Sequence, residues 1–368
     1  MATIKKAYKY RMYPNDEQKD MINQTIGSAR FIYNKMLEDK IKYYNEHKKS
    51  LNNTPANYKD EYEWLKIVDS QALSQSHQDL MKAYNNFLNG RSNFPRFKKK
   101  GVRDSYRSCV TNNNIRVENS KVKLPKIGFV EIKMERQLPD GAVIKNVTVS
   151  KTRTNKYFVS IMFELEKEIK QVEPDSYIGL DFAMADFYVD SKGNKGNYPK
   201  FFRKSAEKLA IEQRKLSRKV KGSNNYEKQR LKVAKVHEKI ANQRRDFLHK
   251  TSRKIANSYD VICVENLNMK TMAQTMNFGK SVNDIGWGMF VEMLDYKTYE
   301  LGKFLVKADK LFPSTKQCSS CKEKREMELS ERVYECEHCG LVLDRDLNAA
   351  LNLEEYGKNN WRELVVEL

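Results

Sequence analysis

The sequence predicts an α+β multidomain protein, and three patterns support this fold class. Residues 115–165 form short segments in which apolar and polar residues alternate between turn residues, as in antiparallel strands. Residues 177–182 and 261–267 are near-continuous apolar runs, which are typical of central strands in a sheet covered on both faces. Two CxxC pairs, starting at Cys318 and Cys336, indicate a small metal-binding module. A chain of 368 residues is long enough for two or three domains.

The charge balance indicates a polyanionic partner. The chain has 68 Lys and Arg against 48 Asp and Glu, a formal net charge of +20, which is typical of proteins that bind nucleic acid. No run of about 18 apolar residues occurs, so we expect no membrane span. The chain turns charged at Lys5 and Lys6 and lacks the apolar segment of a secretory signal. We therefore expect a protein of the reducing cytoplasm.

The first predicted element is a strand over residues 4–13 with one basic face, which Pro14 ends. A period of two in the side chains is the pattern of a half-buried strand. The alternating residues are the apolar Tyr8, Tyr10 and Met12 and the basic Lys9 and Arg11.

Two helices are predicted next. Asn15 with Gln18 forms a capping-box pattern at the start of the first helix. The second helix is expected from about Ser70 to Leu88, with Gly90 as its stop. Several short antiparallel strands after the helices suggest a small β-barrel that also includes the first strand. The two helices would then be an insertion into that barrel.

A loop over residues 93–101 combines two aromatic rings with basic side chains. Stacking surfaces beside cations suit single-stranded or irregular nucleic acid. A solvated loop remains an alternative, and the motif by itself does not decide. Its basic residues are Arg96, Lys98, Lys99 and Lys100.

Residues 203–254 carry most of the excess positive charge. Their 18 Lys and Arg against 5 Asp and Glu give a net charge of +13. The pattern is helical, with a turn predicted at 222–225. Because so few carboxylates balance this charge, we favour an anionic partner over a helical hairpin that is merely solvated. The candidate nucleic-acid contacts across the chain are Lys9, Arg11, Arg96, Lys98, Lys99, Arg244, Arg245 and Lys250.

The two CxxC pairs predict a structural zinc site. Cys318 and Cys321 are separated from Cys336 and Cys339 by 14 residues, and each tight CxxC turn can direct two sulfurs at one ion. Four protein ligands leave no open position for catalysis. A redox disulfide pair and a chance spacing remain the alternatives.

Three carboxylates form a candidate catalytic set. Asp181 and Glu265 lie where the two apolar strands end or are interrupted, and Asp346 lies in a predicted helix start at 343–352. Converging carboxylates would hold two Mg²⁺ or Mn²⁺ ions for phosphodiester hydrolysis. From the residues alone, helix caps or ion-pair partners remain the alternatives, and Asp344 or Asp346 could be the cap.

Taken together, these motifs resemble those of the TnpB (OrfB) family. The proteins of this family are encoded by insertion-sequence transposons, and they are RNA-guided DNA endonucleases and relatives of the type V CRISPR effectors. The resemblance covers nearly the whole chain and depends on the order of its pieces. Ala183, where the family often has Gly, and Lys322, after the first CxxC pair, depart from the pattern without removing a ligand. The matching segments are 8–14, 94–98, 245–250, 264–267, 312–314 and 344–350, together with the CxxC pairs.

The resemblance implies four domains. A RuvC-like α/β nuclease domain with an RNase H fold would span 173–310 and 344–368, with a zinc ribbon inserted at 311–343. A wedge β-barrel would span 1–14 and 101–172, and a helical recognition domain 15–100. The family's catalytic triad then falls on Asp181, Glu265 and Asp346.

The implied function is RNA-guided, Mg²⁺-dependent DNA cleavage at a single RuvC site. The partners would be a transposon-derived guide RNA and double-stranded target DNA with a short adjacent motif, bound by a monomer on one RNA. The enzyme would be cytoplasmic in a prokaryote and nucleoid-associated when on DNA. Two alternatives remain: an RNA-guided DNA-binding repressor without cleavage, and an unguided accessory protein of transposition. The presence of all three acids argues against the repressor. The accessory protein would function without RNA, so a function that depends on RNA would exclude it.

Overall fold

The computed structural model describes residues 2–275, 284–328 and 330–365, which fall into two units, Met1–Lys167 and Glu168–Leu368. The strands of the first unit are β1 Ala2–Tyr13, β2 Asp104–Cys109, β3 Arg116–Glu118, β4 Lys121–Leu124, β5 Gly128–Lys133, β6 Val143–Lys151 and β7 Tyr157–Lys167. Its helices are α1 Asp16–His47 and α2 Ser70–Leu88, with 3₁₀ turns at Pro55–Tyr58 and Glu63–Lys66.

The second unit has a mixed set of elements. Its strands are β8 Tyr177–Ala183, β9 Phe187–Asp190, β10 Val261–Val264, β11 Phe304–Lys307, β12 Val333–Glu335 and β13 Val342–Asp344. Its described helices are α3 Phe201–Ser217, α4 Asn224–Ser258, α5 Met269–Thr275, α6 Trp287–Glu300 and α7 Arg345–Asn360, followed by a 3₁₀ turn at Trp361–Leu364. Residues 276–283, 329 and 366–368 lie outside the described residues. They are small parts of the predicted nuclease and zinc segments.

The first unit is built on a seven-stranded antiparallel sheet in the order β2-β6-β7-β1-β5-β4-β3. The predicted first strand is confirmed as β1, which pairs with β7 along most of its length and with β5 at its end. Tyr10 and Met12 face the core, as the alternation predicted. Tyr106 on β2 and Val117 on β3 belong to that same core although they lie at opposite edges, so the sheet curls around it. Closure into a barrel remains a prediction.

The two predicted helices of the first unit are confirmed. Asn15 Oδ1 accepts a hydrogen bond from the Gln18 backbone N–H at 2.8 Å, and Gln18 Oε1 accepts one from the Asn15 backbone N–H at 3.1 Å. Helix α2 ends at Leu88, and Gly90 follows with a φ of +67°, a conformation that favours glycine. The helices share a core of their own, formed by residues such as Ile32, Met36, Leu37, Leu73 and Leu80.

The second unit contains a four-stranded sheet in the order β11-β10-β8-β9. Strands β8, β10 and β11 are parallel, whereas β9 is antiparallel to β8. Both predicted apolar runs are therefore confirmed as adjacent central strands. Ile178 and Leu180 on β8 pack into a core on one face of the sheet. The next residues in the alternation, Gly179 and Asp181, face α7 on the other side.

Helix α7 lies unusually close to the sheet. A Cβ added at Gly179 would lie 2.0 Å from the Ala350 carbonyl oxygen and 2.5 Å from the Glu354 backbone nitrogen. A Cβ at Gly357 would lie 2.9 Å from the Cβ of Cys263. The small residues predicted at the start of this helix are therefore packed against β8, and this close contact carries the first turn of α7 to the end of the sheet.

Gly179→Ala is expected to destabilise the second unit by about 3 kcal/mol, because the new methyl group meets backbone atoms that cannot rotate away. Gly288→Ala is the matched control: a Cβ there would meet no described atom within 4 Å, and it should stay within about 1 kcal/mol of wild type. Urea unfolding of both variants measures the difference. Equal stability of the two variants would contradict the close packing of α7.

The predicted basic helical pair is confirmed as α3 and α4. Gly222, with a φ of +89°, lies in the turn between them, and Ser223 caps α4 by accepting a hydrogen bond from the Tyr226 N–H at 3.1 Å. Gln229 on α4 donates to the carboxylate of Glu212 on α3 at 2.6 Å. Among the described helices, none has the length and apolar character needed to cross a membrane.

Candidate carboxylate and four-cysteine sites

Asp181 and Glu265 lie side by side towards the carboxyl ends of the two central strands of the second sheet. Parallel pairing places Val264 of β10 opposite Leu180 of β8, so the next residue of each strand is an acid. Adjacent strands are about 4.8 Å apart, which puts the two backbones close together. Asp346, in the first turn of α7, lines the same cavity of about 720 Å³ as these two acids. The structure therefore brings the three predicted carboxylates together.

The helix start separates the roles of the two acids that the sequence left open. Asp344 caps α7, since its Oδ1 accepts hydrogen bonds from the backbone N–H groups of Asp346 at 3.0 Å and Leu347 at 3.1 Å. The carboxylate of Asp346 makes no such cap and instead accepts from the Arg345 guanidinium at 2.9 and 3.0 Å. Asp346 is thus the acid that is directed at the cavity.

Burial and neighbouring negative charge raise the pKa of two of these carboxylates, Asp181 and Glu265. Burial raises the pKa of Asp181 well above its usual value, and the charges of Glu265 and Asp346 raise it further. Burial also raises the pKa of Glu265, although a hydrogen bond from Ser314 acts in the opposite direction. Arg345 only partly offsets this negative charge. A divalent cation would balance it, and carboxylate oxygens are the ligands that Mg²⁺ prefers.

The rest of the cavity wall combines apolar and basic side chains. Phe182, Met184 and Leu267 are among the apolar residues. The basic residues are Lys200, Arg203, Arg332 and Arg345.

The four cysteines form a compact cluster. The Sγ atoms of Cys318 and Cys339 are 3.7 Å apart, and those of Cys321 and Cys336 are 3.5 Å apart. A tetrahedral zinc site with Zn–S bonds of about 2.3 Å has sulfurs about 3.8 Å apart, so the cluster fits Zn²⁺. Each short contact joins sulfurs of different CxxC pairs, which favours the zinc interpretation over a redox disulfide within one pair.

The sulfurs of the cluster interact strongly with one another. The backbone N–H of Cys339 is the main cause that lowers the pKa of Cys336 to about 6. At Cys321 the backbone N–H of Glu323 acts in the same direction, but burial and hydrogen bonds with the other three sulfurs outweigh it and raise the pKa to about 12. The two CxxC turns are equivalent, since Lys322 and Gly340 both adopt a positive φ, of 67° and 75°. A positive φ is sterically unfavourable for Lys322, which has a side chain where Gly340 has none. The Lys322 ammonium donates a hydrogen bond to the Ser319 carbonyl oxygen at 2.8 Å, which offsets this strain.

Ser314 is a site residue to which the sequence assigned no role. Its hydroxyl donates a hydrogen bond to Glu265 Oε1 at 2.6 Å, and the residue is only 3% exposed. The signal available beforehand was its place in the motif at 312–314, directly before the first CxxC pair. That signal placed Ser314 near the zinc module but could not show which acid it contacts.

The predicted nucleic-acid contacts of the first unit fall into two groups. Lys9 lies 4.5 Å from the centre of the Phe158 ring, and Arg11 donates to the Tyr157 carbonyl at 3.0 Å. The second group lines one cavity of about 900 Å³ together with Arg30 and Arg107. Its members are Arg96, Lys98 and Lys99. Both groups stay predictions.

In the second unit, the three predicted contacts on α4 differ in their surroundings. Arg244 forms an ion pair with the buried Asp284 at 3.3 Å, inside a network that Tyr198 completes by donating to Asp284 at 3.1 Å. Lys250 pairs with Asp246 on the helix surface at 2.8 Å, and Arg245 is exposed. Arg244 therefore joins α4 to the segment that precedes α6, while contacts of all three residues with nucleic acid stay predictions.

Three family models match the chain. They are described as "Probable transposase" of the OrfB type over residues 160–276, "Helix-turn-helix domain" of the same type over 1–49, and "Cas12f1-like, TNB domain" over 287–353. In the described part of the second segment, the structure has the strand β1 and the single long helix α1. The third match contains the cysteine cluster and Asp346.

Relatives and a solved structure match almost the whole chain. A protein of Streptomyces pristinaespiralis, named "Putative RNA-guided DNA endonuclease", is 35% identical over 96% of this chain and 89% of its own length. InsQ of Escherichia coli (strain K12), with the same description, is 32% identical over 94% of this chain and 91% of its own length. The Cas12f1 chain of a "Cas12f1-sgRNA-target DNA complex" has a TM-score of 0.61 at 13% identity, covering 96% of this chain and 99% of that one, which shows a similar mixed α/β fold. From the transposase models and these near full-length relatives, the chain belongs to the TnpB (OrfB) family.

Proposed function

We propose that this protein is an RNA-guided, Mg²⁺-dependent DNA endonuclease that hydrolyses phosphodiester bonds at a single site. One observation carries the proposal: Asp181, Glu265 and Asp346, which are distant in sequence, line one cavity at the carboxyl ends of parallel strands. Active sites in such sheets lie at the carboxyl ends of the strands. The name shared by the two relatives supports the reaction class.

The same proposal assigns domains. The parallel strands with one antiparallel neighbour, covered by α7, support a RuvC-like nuclease with an RNase H fold over 173–310 and 344–368, and the cysteine cluster supports a zinc ribbon over 311–343. The curled antiparallel sheet supports a wedge barrel over 1–14 and 101–172, with the recognition helices at 15–100.

In the proposed mechanism, bound Mg²⁺ would activate the attacking water and stabilise the leaving oxygen. Asp181, Glu265 and Asp346 would hold the ions. The Arg345 guanidinium orients Asp346, and the Ser314 hydroxyl fixes one oxygen of Glu265 while leaving the other for a ligand.

Other residues would bring the substrate to these carboxylates. Lys200, Arg203 and Arg332 line the cavity and would attract the phosphates that flank the scissile bond. The basic helices α3 and α4 and the candidate contacts of the first unit would bind nucleic acid through its phosphates. Zn²⁺ on the four cysteines would have a structural role.

The proposed partners are a transposon-derived guide RNA and double-stranded DNA with a short adjacent motif, bound by a monomer on one RNA. Base pairing to the guide would supply most of the sequence specificity. The matched complex, which contains both an sgRNA and target DNA, supports this pair of partners.

The first experiment is expression with the native flanking DNA, followed by sequencing of the RNA that stays bound through a high-salt wash. We expect one discrete structured RNA that ends in a variable segment. With that segment reprogrammed, the complex should cut matching plasmid DNA in Mg²⁺ or Mn²⁺. Random host RNA, or none, would overturn the guided function in favour of an unguided accessory protein. Tight guided binding without any nick would favour a repressor.

A further inference from the structure

The first CxxC turn is attached to the helix that carries Asp346. Asn348, which is fully buried on α7, accepts a hydrogen bond from the Ser319 N–H at 2.9 Å and donates one to the Gln317 carbonyl at 2.8 Å. These two backbone groups lie immediately after and before Cys318. A single side chain thus holds both sides of a cysteine of the cluster, two residues from Asp346.

A second path leads from the same turn to Glu265. Asn352, one helical turn beyond Asn348, donates to the carbonyl of Gln317 at 2.6 Å and to that of Ser314 at 2.9 Å. Ser314 in turn donates its hydroxyl to Glu265 Oε1. Hydrogen bonds therefore connect the segment that leads into Cys318 to the carboxylate of Glu265, which lies 49 positions before Ser314 in the sequence.

A third path leads to Asp346 from the part of the module that lies between the two CxxC pairs. The backbone N–H of Arg345 donates to the Arg332 carbonyl at 2.9 Å, and its guanidinium donates to the Glu331 carbonyl at 3.0 Å. The same guanidinium binds Asp346. Two segments of the module are thus connected to the carboxylates, one to Glu265 through Ser314 and one to Asp346 through Arg345.

We propose that Ser314 and Asn348 are positioning residues through which the four-cysteine cluster sets the geometry of Glu265 and Asp346, so that zinc occupancy controls metal binding at the carboxylates. This inference rests on the proposed function, because it takes the carboxylates as the metal site. It makes the zinc module part of the catalytic apparatus in addition to any contact it makes with nucleic acid.

The physical reason is the freedom of a glutamate carboxyl group. The terminal torsion of Glu is broad, so its oxygens rotate readily unless a partner holds one of them. Partners of metal-binding carboxylates typically change metal affinity or activity by about 10–100-fold when they are removed. Ser314 is such a partner, and its own position depends on the backbone that Asn352 and the cluster hold.

The first test measures Mn²⁺ binding to the full chain without nucleic acid, by titration followed with electron paramagnetic resonance. Ser314→Ala should weaken Mn²⁺ binding about 10-fold while the zinc content and the melting temperature stay at wild-type values. Ser258→Ala, which removes a hydroxyl that donates to the Lys254 carbonyl at the end of α4, is the matched control and should bind Mn²⁺ normally. Unchanged affinity in Ser314→Ala would overturn the role of Ser314.

The second test addresses the coupling. Asn348→Ala should both speed the loss of zinc to a chelator and weaken Mn²⁺ binding about 10-fold or more. Asn360→Ala removes an amide that donates to Tyr356 at 2.8 Å at the far end of α7, and should do neither. Cys336→Ser should also weaken Mn²⁺ binding, although Cys336 is not among the residues that line the carboxylate cavity. Zinc loss with normal Mn²⁺ binding in both variants would overturn the coupling.

One further variant separates this inference from the proposed function. Asp181→Asn removes a proposed metal ligand directly, so it must weaken Mn²⁺ binding if the carboxylates are the metal site. Normal binding in Asp181→Asn would mean that the proposed site itself is wrong. Weak binding in Asp181→Asn together with normal binding in Ser314→Ala and Asn348→Ala would mean that the carboxylate site stands and only the control by the cysteine cluster fails.

Discussion

Asp181→Asn is expected to lower guided DNA cleavage by about 10³-fold or more, equivalent to about 4 kcal/mol of transition-state stabilisation, while guided DNA binding stays intact. Asp181 is buried beside Glu265 and Asp346, so its carboxylate contributes to the charge that would hold both metal ions. The amide has the same shape but no charge. Single-turnover cleavage and a gel-shift assay with the same guide measure the two effects separately.

The stability of this variant provides an independent check. Because burial and the neighbouring acids raise the pKa of Asp181, holding it ionised at neutral pH costs folding stability. Asp181→Asn should therefore melt at a higher temperature than wild type when no divalent cation is present. Active sites commonly carry such a stability cost for function.

Asp186→Asn is the matched control for Asp181→Asn. Asp186 lies between β8 and β9 and pairs with Lys195 at 3.0 Å near the surface, outside the carboxylate cavity. We expect normal cleavage and normal binding from it. Undiminished cleavage by Asp181→Asn would exclude the proposed catalytic set, and loss of both binding and cleavage would indicate misfolding instead.

Cys336→Ser is expected to lose zinc and to unfold residues 311–343 locally. Zinc binding contributes roughly 10–16 kcal/mol to the folding of small structural sites, and the apolar core around this cluster is too small to replace that. Among the described residues it consists of Tyr334 and three of the cysteines, with Met327 and Leu341 packed at its edge. The effect should therefore be large within the module and small elsewhere.

Hydrogen exchange and metal analysis measure this outcome. Amide protection should be lost in the zinc module and retained in Met1–Lys167, which has its own core. Cys109→Ser, at the end of β2 and outside the cluster, should keep its zinc and its protection. Unchanged zinc content and activity in Cys336→Ser would rule out a structural four-cysteine site.

Features that depend on neighbours in the sequence were predicted correctly. The capping box at Asn15 and Gln18 spans one helical turn, and the end of α2 near Gly90 depends on local backbone freedom. The alternation along β1 and the apolar runs of β8 and β10 reflect how many faces of each strand are buried. These signals lie within about ten residues, so the chain carries them whatever it packs against.

Two strands and one residue illustrate features that local sequence patterns do not predict. Strands β2 and β11 were not predicted, because each owes its position to a partner strand far along the chain. Arg244 was predicted as a nucleic-acid contact from its charge alone. Its ion pair with the buried Asp284, 40 positions away, became visible only in the folded unit.

For the candidate site, the sequence by itself determined the candidate ligand types: three acids for a hard metal ion and four cysteines for a soft one. Only the tertiary structure decided which acid of the pair at 344 and 346 caps the helix, how Asp181 and Glu265 become neighbours, and that Ser314 binds Glu265. The physical reason is that register between strands and the docking of α7 at Gly179 depend on contacts between distant segments. Such contacts form when the whole unit packs, and no local pattern encodes them.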